Sequence, residues 1–285
     1  MLFFEILKVI LLGIVEGITE WLPVSSTGHM ILVDEFVSLD VSKPFMELFL
    51  VVIQLGAIAA VPVYFFDKLN PFSKKKSEAE KKATWSLFGK VVVGVIPAAV
   101  IGLLLDDFLE EHLYNYIVVS IALVVYGVAF MLIEKRRDYR AKIGIEKGWR
   151  IETVDDLTYK DAFVIGSFQV LSLIPGTSRS GSTIIGGMLT GVSRTASAEF
   201  SFFMAIPVML GASLLKVLKF VAEGYTVSTD ELLLLGIGIA VSFIVSLVAI
   251  RFLMDFVKRH TFIPFGIYRI ALGGAVLGYF LMNSI

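Results

Sequence analysis

Apolar runs long enough to cross a lipid bilayer recur along this chain of 285 residues, at Phe49–Phe66, Val91–Leu105, Ile117–Ile133, Leu232–Ile250 and Phe262–Met282. In lipid every backbone N–H and C=O must be paired inside the segment, so such runs fold as helices. A transmembrane β-barrel would instead show short alternating strands. Hydrophobic residues make up 56% of the chain, well above the soluble norm. The fold class expected is therefore all-α, a polytopic membrane protein. The chain has no cysteine, which excludes disulfides, thiolate chemistry and Cys-based metal sites. The first apolar stretch has no basic leader region and runs straight into Glu16 and Glu20, so it reads as part of the fold and not as a cleaved signal.

Loop charge orients the helices, because Lys and Arg collect on the cytoplasmic side. The segments 67–90 and 134–161 are rich in both, and 251–260 adds Arg251, Lys258 and Arg259. By contrast 106–115 and 223–231 hold acids and no Lys or Arg, and 34–47 has only Lys43. Spans at 48–66, 89–105 and 117–133 then alternate without conflict, as do 200–222, 232–250 and 262–282. Lys216 and Lys219 fit least well, falling close to an end assigned outside. For the parity to hold, 1–33 and 162–197 must each begin and end on one side. Each carries a Pro-plus-hydroxyl break, so each is expected to be a re-entrant pair of half-helices, tolerated where irregular backbone is buried or lines a wet cavity. The reading is about six spanning helices plus two re-entrant broken-helix pairs, in two inverted repeats. The first repeat is 1–133, a basic cytoplasmic linker covers 134–161 as a solvated loop, and the second repeat is 162–285. Leu22-Pro23-Val24-Ser25-Ser26 matches Ile174-Pro175-Gly176-Thr177-Ser178, and Gln54–Ala57 matches Met209–Ala212. Inverted repeats meeting at broken helices are a common transporter plan.

The first break holds the costliest residues. Glu16 and Glu20 lie four apart and share one helical face, with Gly13 and Gly17 beside them for close helix approach. Pro23 ends the helix. Ser25, Ser26 and Thr27 stand where the next helix needs its N-cap, and His29 follows in its first turn. Free N–H groups at a helix start favour an anion such as phosphate. Carboxylates beside phosphate ask for a bridging cation or a proton, and oxygen ligands suit Mg2+ or Ca2+, making Glu16 and Glu20 candidate metal ligands. His29 is a candidate acid or base and Ser26 a candidate nucleophile. The plainer alternative is that the hydroxyls only cap the helix and the glutamates pair with arginines.

The second break, Pro175-Gly176-Thr177-Ser178-Arg179-Ser180-Gly181-Ser182-Thr183, again interrupts an apolar segment and opens a helix. Its hydroxyls can cradle phosphate oxygens, and Arg179 offers a permanently charged planar fork. Arg179 could equally balance Glu16 or Glu20. No G-x-x-x-x-G-K-[ST] loop is present, which leaves P-loop nucleotide hydrolysis without support. Arg194 and Glu199 are expected to pair with each other, His112 and His260 to be solvated, and Trp21 and Trp85 to anchor at the membrane interface.

These residues together resemble the undecaprenyl-diphosphate phosphatase family of the bacitracin-resistance type. The likeness rests on Glu16-Gly-Ile-Thr-Glu20, Leu22–His29, Pro175–Thr183, Gly191–Arg194 with Glu199–Phe202, Val52–Gly56 and Phe262–Arg269, and it spans nearly the whole chain. It implies an enzyme that removes the terminal phosphate from a C55 isoprenyl diphosphate, recycling the lipid carrier of cell-wall synthesis. It also implies a divalent cation and a site facing the extracytoplasmic side of the bacterial plasma membrane. By position, Glu16 and Glu20 would serve metal binding or acid–base work, Ser26 attack, His29 proton transfer and Arg179 phosphate clamping. Ser25, Thr27, Ser178, Ser180 and Thr183 would support the substrate. The implied partners are the polyprenyl diphosphate and membrane lipid, with room for a homodimer and no call for nucleic acid. Leu50 departs from the pattern, which has a glutamate there; Glu47 is the nearest substitute. Whether Ser26, His29 or water attacks phosphorus stays open. A transporter or flippase for a polyprenyl phosphate lipid is the rival, since it would use the same architecture.

Overall fold

A computed structural model describes residues 2–145 and 148–283. Eleven α-helices follow one another: α1 Leu2–Thr19, α2 Ser26–Phe36, α3 Lys43–Tyr64, α4 Phe66–Leu69, α5 Glu78–Leu113, α6 Tyr116–Lys142, α7 Tyr159–Gln169, α8 Arg179–Leu189, α9 Arg194–Ala222, α10 Thr229–Val257 and α11 Ile263–Asn283. Among the described residues six of them, α3, α5, α6, α9, α10 and α11, are long and apolar enough to span a bilayer. These match the six spans expected from the apolar runs and loop charges, and the chain is a multi-pass membrane protein. The helices overshoot the apolar runs because polar caps start them early. Ser77, Thr158 and Ser228 each form a capping box with the acid three residues on, Glu80, Asp161 and Glu231.

The remaining four longer-than-one-turn helices form two pairs, α1–α2 and α7–α8, each broken at a hydroxyl-rich loop. At 11 residues apiece α2, α7 and α8 are too short to span. The two halves pack alike. α1 lies on α10 while α7 lies on α5, α3 meets α9, and α6 meets α11. Glycines permit both first contacts. A side chain at Gly17 would run into Val245 and the Ser242 carbonyl on α10. One at Gly166 would come within 1.9 Å of the Gly94 carbonyl on α5. Gly13 serves α1 in the same way, against Val241.

Four expectations change. The stretch 134–161 is not a solvated loop throughout: α6 runs to Lys142, and Ile151, Val154 and Leu157 are buried, with Ile151 bridging to Val192. Trp149 lies under the Arg137 guanidinium, 3.1 Å from its centre, and Arg150 pairs with Asp161. Arg194 does not pair with Glu199. Residues five apart point about 140° away from each other on a helix. Arg194 instead holds the fully buried Glu134 through Nε (2.8 Å) and Nη2 (2.5 Å), and Glu199 takes Lys68 (2.6 Å). Glu134 also accepts from the Phe262 N–H at 2.8 Å, so this one carboxylate ties α6, α9 and the start of α11. Trp21 is no interface anchor: it is wholly buried, edge-on to Phe202 at 5.0 Å. Trp85, at 55% exposure, keeps a surface position. Lys216, awkward for topology, is neutralised by Glu47 at 2.7 Å. That pairing also occupies the carboxylate that was to stand in for the missing acid at Leu50.

Candidate functional site

The two breaks meet. Ser25 caps α2 and Ser178 caps α8, each accepting from the N–H three residues on, Gly28 at 3.3 Å and Gly181 at 3.1 Å. Among the described residues these two are the only non-glycines with positive φ, 73° and 72°. A side chain there costs on the order of 1–3 kcal/mol, and such strain gathers at functional sites. The matching residues differ from those that an alignment of the two prolines would pair. Aligning Pro23 with Pro175 would pair Ser25 with Thr177, but the backbone pairs Ser25 with Ser178. The second break carries one extra residue, and Gly176, at φ 91°, accommodates the tighter path.

Around these caps the acids, hydroxyls and Arg179 assemble. Arg179 donates from Nη2 to Glu20 Oε1 at 2.8 Å, and from Nη1 to the Ser201 carbonyl at 2.8 Å and its hydroxyl at 3.1 Å. Its guanidinium also faces the Trp21 ring, 5.7 Å from the centroid. Both side chains of the ion pair are about nine-tenths buried, at 11% and 8% exposure. Ser26 donates to the other Glu20 oxygen at 3.1 Å. Glu20 thus joins Ser26 from the first break to Arg179 from the second. Ser180 donates to the Glu20 carbonyl at 3.4 Å and lies 3.1 Å from Ser178 Oγ, while the Thr183 hydroxyl is 2.8 Å from that of Ser201. Thr27, half-buried in the first turn of α2, has no side-chain bond to this group.

Glu16 and His29 lie beside the network without joining it. Glu16 is buried one turn below Glu20, and its Oε1 has no hydrogen-bond partner. His29 binds neither Ser26 nor Glu20. Its Nδ1 lies 2.7 Å from the Ser25 carbonyl and its Nε2 2.7 Å from the Tyr268 hydroxyl. Buried N–H and amide groups elsewhere in this region also lack partners: Arg179 Nε, and both side-chain atoms of Gln169 at the end of α7.

Two residues that lie in motifs carrying the resemblance, but were given no role from the sequence, complete the arrangement. Ser201 holds Arg179 from α9. Arg269 of α11 is wholly buried and donates to three carbonyls, Pro23 (3.1 Å) in the first break and Gly176 (2.8 Å) and Thr177 (3.0 Å) in the second. An arginine inside an apolar run was the available signal, since a charge at that depth is costly without a task.

Comparison with known proteins shows the family. Residues 9–275 match the family described as bacitracin resistance protein BacA. The chain belongs to this family. It is 56% identical over 283 residues to an undecaprenyl-diphosphatase of Enterococcus faecalis, covering 99% of this chain and all of that one. It is also 53% identical to an undecaprenyl-diphosphatase of Streptococcus mutans over 284 residues, 99% of each chain. A third, from Acetivibrio thermocellus, is 54% identical over 277 residues, 97% of this chain and 98% of its own.

Proposed function

We propose that this BacA-family chain is a membrane diphosphatase that hydrolyses undecaprenyl diphosphate to undecaprenyl phosphate and inorganic phosphate. The observation that carries the reading is the meeting of Glu20, Ser26 and Arg179 where the two broken helices touch. The family membership and the named activity of its relatives point the same way. The rival, lipid transport, needs no hydroxyl aimed at a carboxylate, and nothing found favours it.

The chemistry runs from the contacts. The terminal phosphate would lie at the N-termini of α2 and α8, where N–H groups and helix dipoles attract anions. Ser178, Ser180 and Thr183 on one side and Ser25 and Thr27 on the other would line it. Arg179 would offset charge that grows on the transferring phosphoryl group, its unpartnered Nε–H being the donor still free to take an oxygen. If Ser26 attacks, its oxygen bonds to the terminal phosphorus as the bridging P–O bond breaks, and its proton passes to Glu20 at 3.1 Å. Water then releases the phosphate. If water attacks directly, Glu20 or His29 takes its proton instead.

The site also fits a hard divalent cation, on the ground of the bare, buried Glu16 oxygen next to Glu20. No three metal-binding side chains cluster among the described residues. Glu16 and Glu20 would therefore hold Mg2+ or Ca2+ together with phosphate oxygens of the substrate, a common arrangement for Mg2+. When bound, the cation would neutralise the diphosphate. The purified protein should release phosphate from C55 diphosphate in detergent and lose most of that activity with a chelator. Folded protein with no release would overturn the reading, and full turnover by Ser26→Ala would remove the covalent route.

The two halves are read as inverted repeats with re-entrant pairs, and the site as opening to the extracytoplasmic side. The like packing of α1 on α10 and α7 on α5, the twin serine caps and the loop charges support this. A cysteine placed at Asn115 should then be labelled by an impermeant reagent in whole cells and one at Lys76 should not. The reverse labelling would put the site on the cytoplasmic face.

A further inference from the structure

We propose that Tyr268 is a positioning residue that engages the Nε2 lone pair of His29 and holds the imidazole in the orientation set by the Ser25 carbonyl; this rests on the reading of His29 as an acid or base. The argument is a hydrogen-bond inventory. The Ser25 carbonyl can only accept, so His29 Nδ1, 2.7 Å from it, carries hydrogen. A neutral imidazole has one N–H, so Nε2 presents its lone pair. The group 2.7 Å from that lone pair is the Tyr268 hydroxyl, which donates to it. The two rings also stack, with centroids 5.6 Å apart and planes 10° from parallel. His29 sits on an 11-residue helix, and Tyr268 reaches it from α11, 239 residues downstream.

A phenol suits this place better than a fixed donor or acceptor. It donates to Nε2 while the ring is neutral. It accepts from Nε2–H once the ring is charged, so it accommodates both states of a group that must gain and lose a proton. The next residue, Arg269, is bonded to both breaks, so the turn that carries Tyr268 is anchored to the same loops His29 serves. Tyr268 is 47% exposed, which leaves its hydroxyl able to turn aside when substrate needs Nε2.

Tyr268→Phe removes the hydroxyl and keeps the stacked ring. In the full-length protein, kcat for phosphate release should fall about tenfold, as for loss of a group that sets up acid–base catalysis, with KM changed by less than about twofold. Nitrogen-15 histidine spectra provide a readout independent of turnover. The chain has three histidines, so His29 is assigned by difference with a His29→Gln variant. In the wild type, at a pH where the ring is neutral, Nδ1 should be protonated and Nε2 a hydrogen-bonded acceptor. In Tyr268→Phe the Nε2 signal should move to that of a free acceptor. An unchanged spectrum with wild-type kcat in Tyr268→Phe would overturn the proposal, and so would a wild-type spectrum with the proton on Nε2. If the wild type released no phosphate, the functional reading would fail while the spectra still judged the geometry.

Discussion

Arg179→Ala should lower kcat/KM for phosphate release from C55 diphosphate about 1000-fold, the scale seen when a charge-stabilising arginine is removed from phosphoryl transfer. The geometry explains why the loss should be large. Arg179 alone brings a positive charge from the second break to the Glu20–Ser26 pair of the first. Arg179→Lys should recover little, because a point charge cannot keep Glu20 and both Ser201 contacts while also meeting phosphate. The variant has a second effect that must be separated from catalysis. Removing one member of a buried pair strands the other, at a cost of about 3–5 kcal/mol. The double variant Glu20→Gln/Arg179→Met removes both charges and should recover stability without recovering activity. A folded Arg179→Ala retaining activity within about tenfold of wild type would sink the assigned role.

How much of this was legible in the chain depends on whether the signal was local. The six spans and both breaks show in sequence because apolar length and Pro-plus-hydroxyl interruption act within one segment. Glu16, Glu20, Ser26, His29 and Arg179 stand out for the same reason, as polar groups inside apolar runs. What they touch is another matter. Glu20 and Arg179 are 159 residues apart, and only the packed halves decide that they meet. Arg194 found its acid 60 residues back on α6, where a reading along one helix looked forward to Glu199. Trp21 sits beside charged residues as an interface tryptophan would, yet those charges are themselves interior, so it is buried with them. That Ser25 and Ser178 share a positive-φ cap was not visible in sequence, because a backbone turn leaves no hydropathy trace.

Arg269→Met should be strongly destabilising. The side chain is nearly matched in apolar length, so the loss isolates the guanidinium. The carbonyls of Pro23, Gly176 and Thr177 would each lose a donor in a wholly buried setting. An unmade buried bond costs about 1–3 kcal/mol, so three together put the expected loss near 4 kcal/mol, read as a lowered unfolding midpoint in detergent. Activity should fall further than stability alone requires. One guanidinium spans both breaks, so without it the cap of α2 and the cap of α8 lose their common support, and a shift of about 1 Å at reacting groups can cost about 100-fold. Arg269→Lys discriminates between two roles. If a positive charge were all the site needed, lysine would restore both quantities. If the planar fork sets the distance between the breaks, lysine should restore part of the stability and little of kcat, because an ammonium cannot match the spread of three carbonyls on two loops. Full activity in Arg269→Lys would leave Arg269 as a counter-charge. Its loss would make α11, outside both broken-helix pairs, the element that holds the two halves of the phosphate site in register.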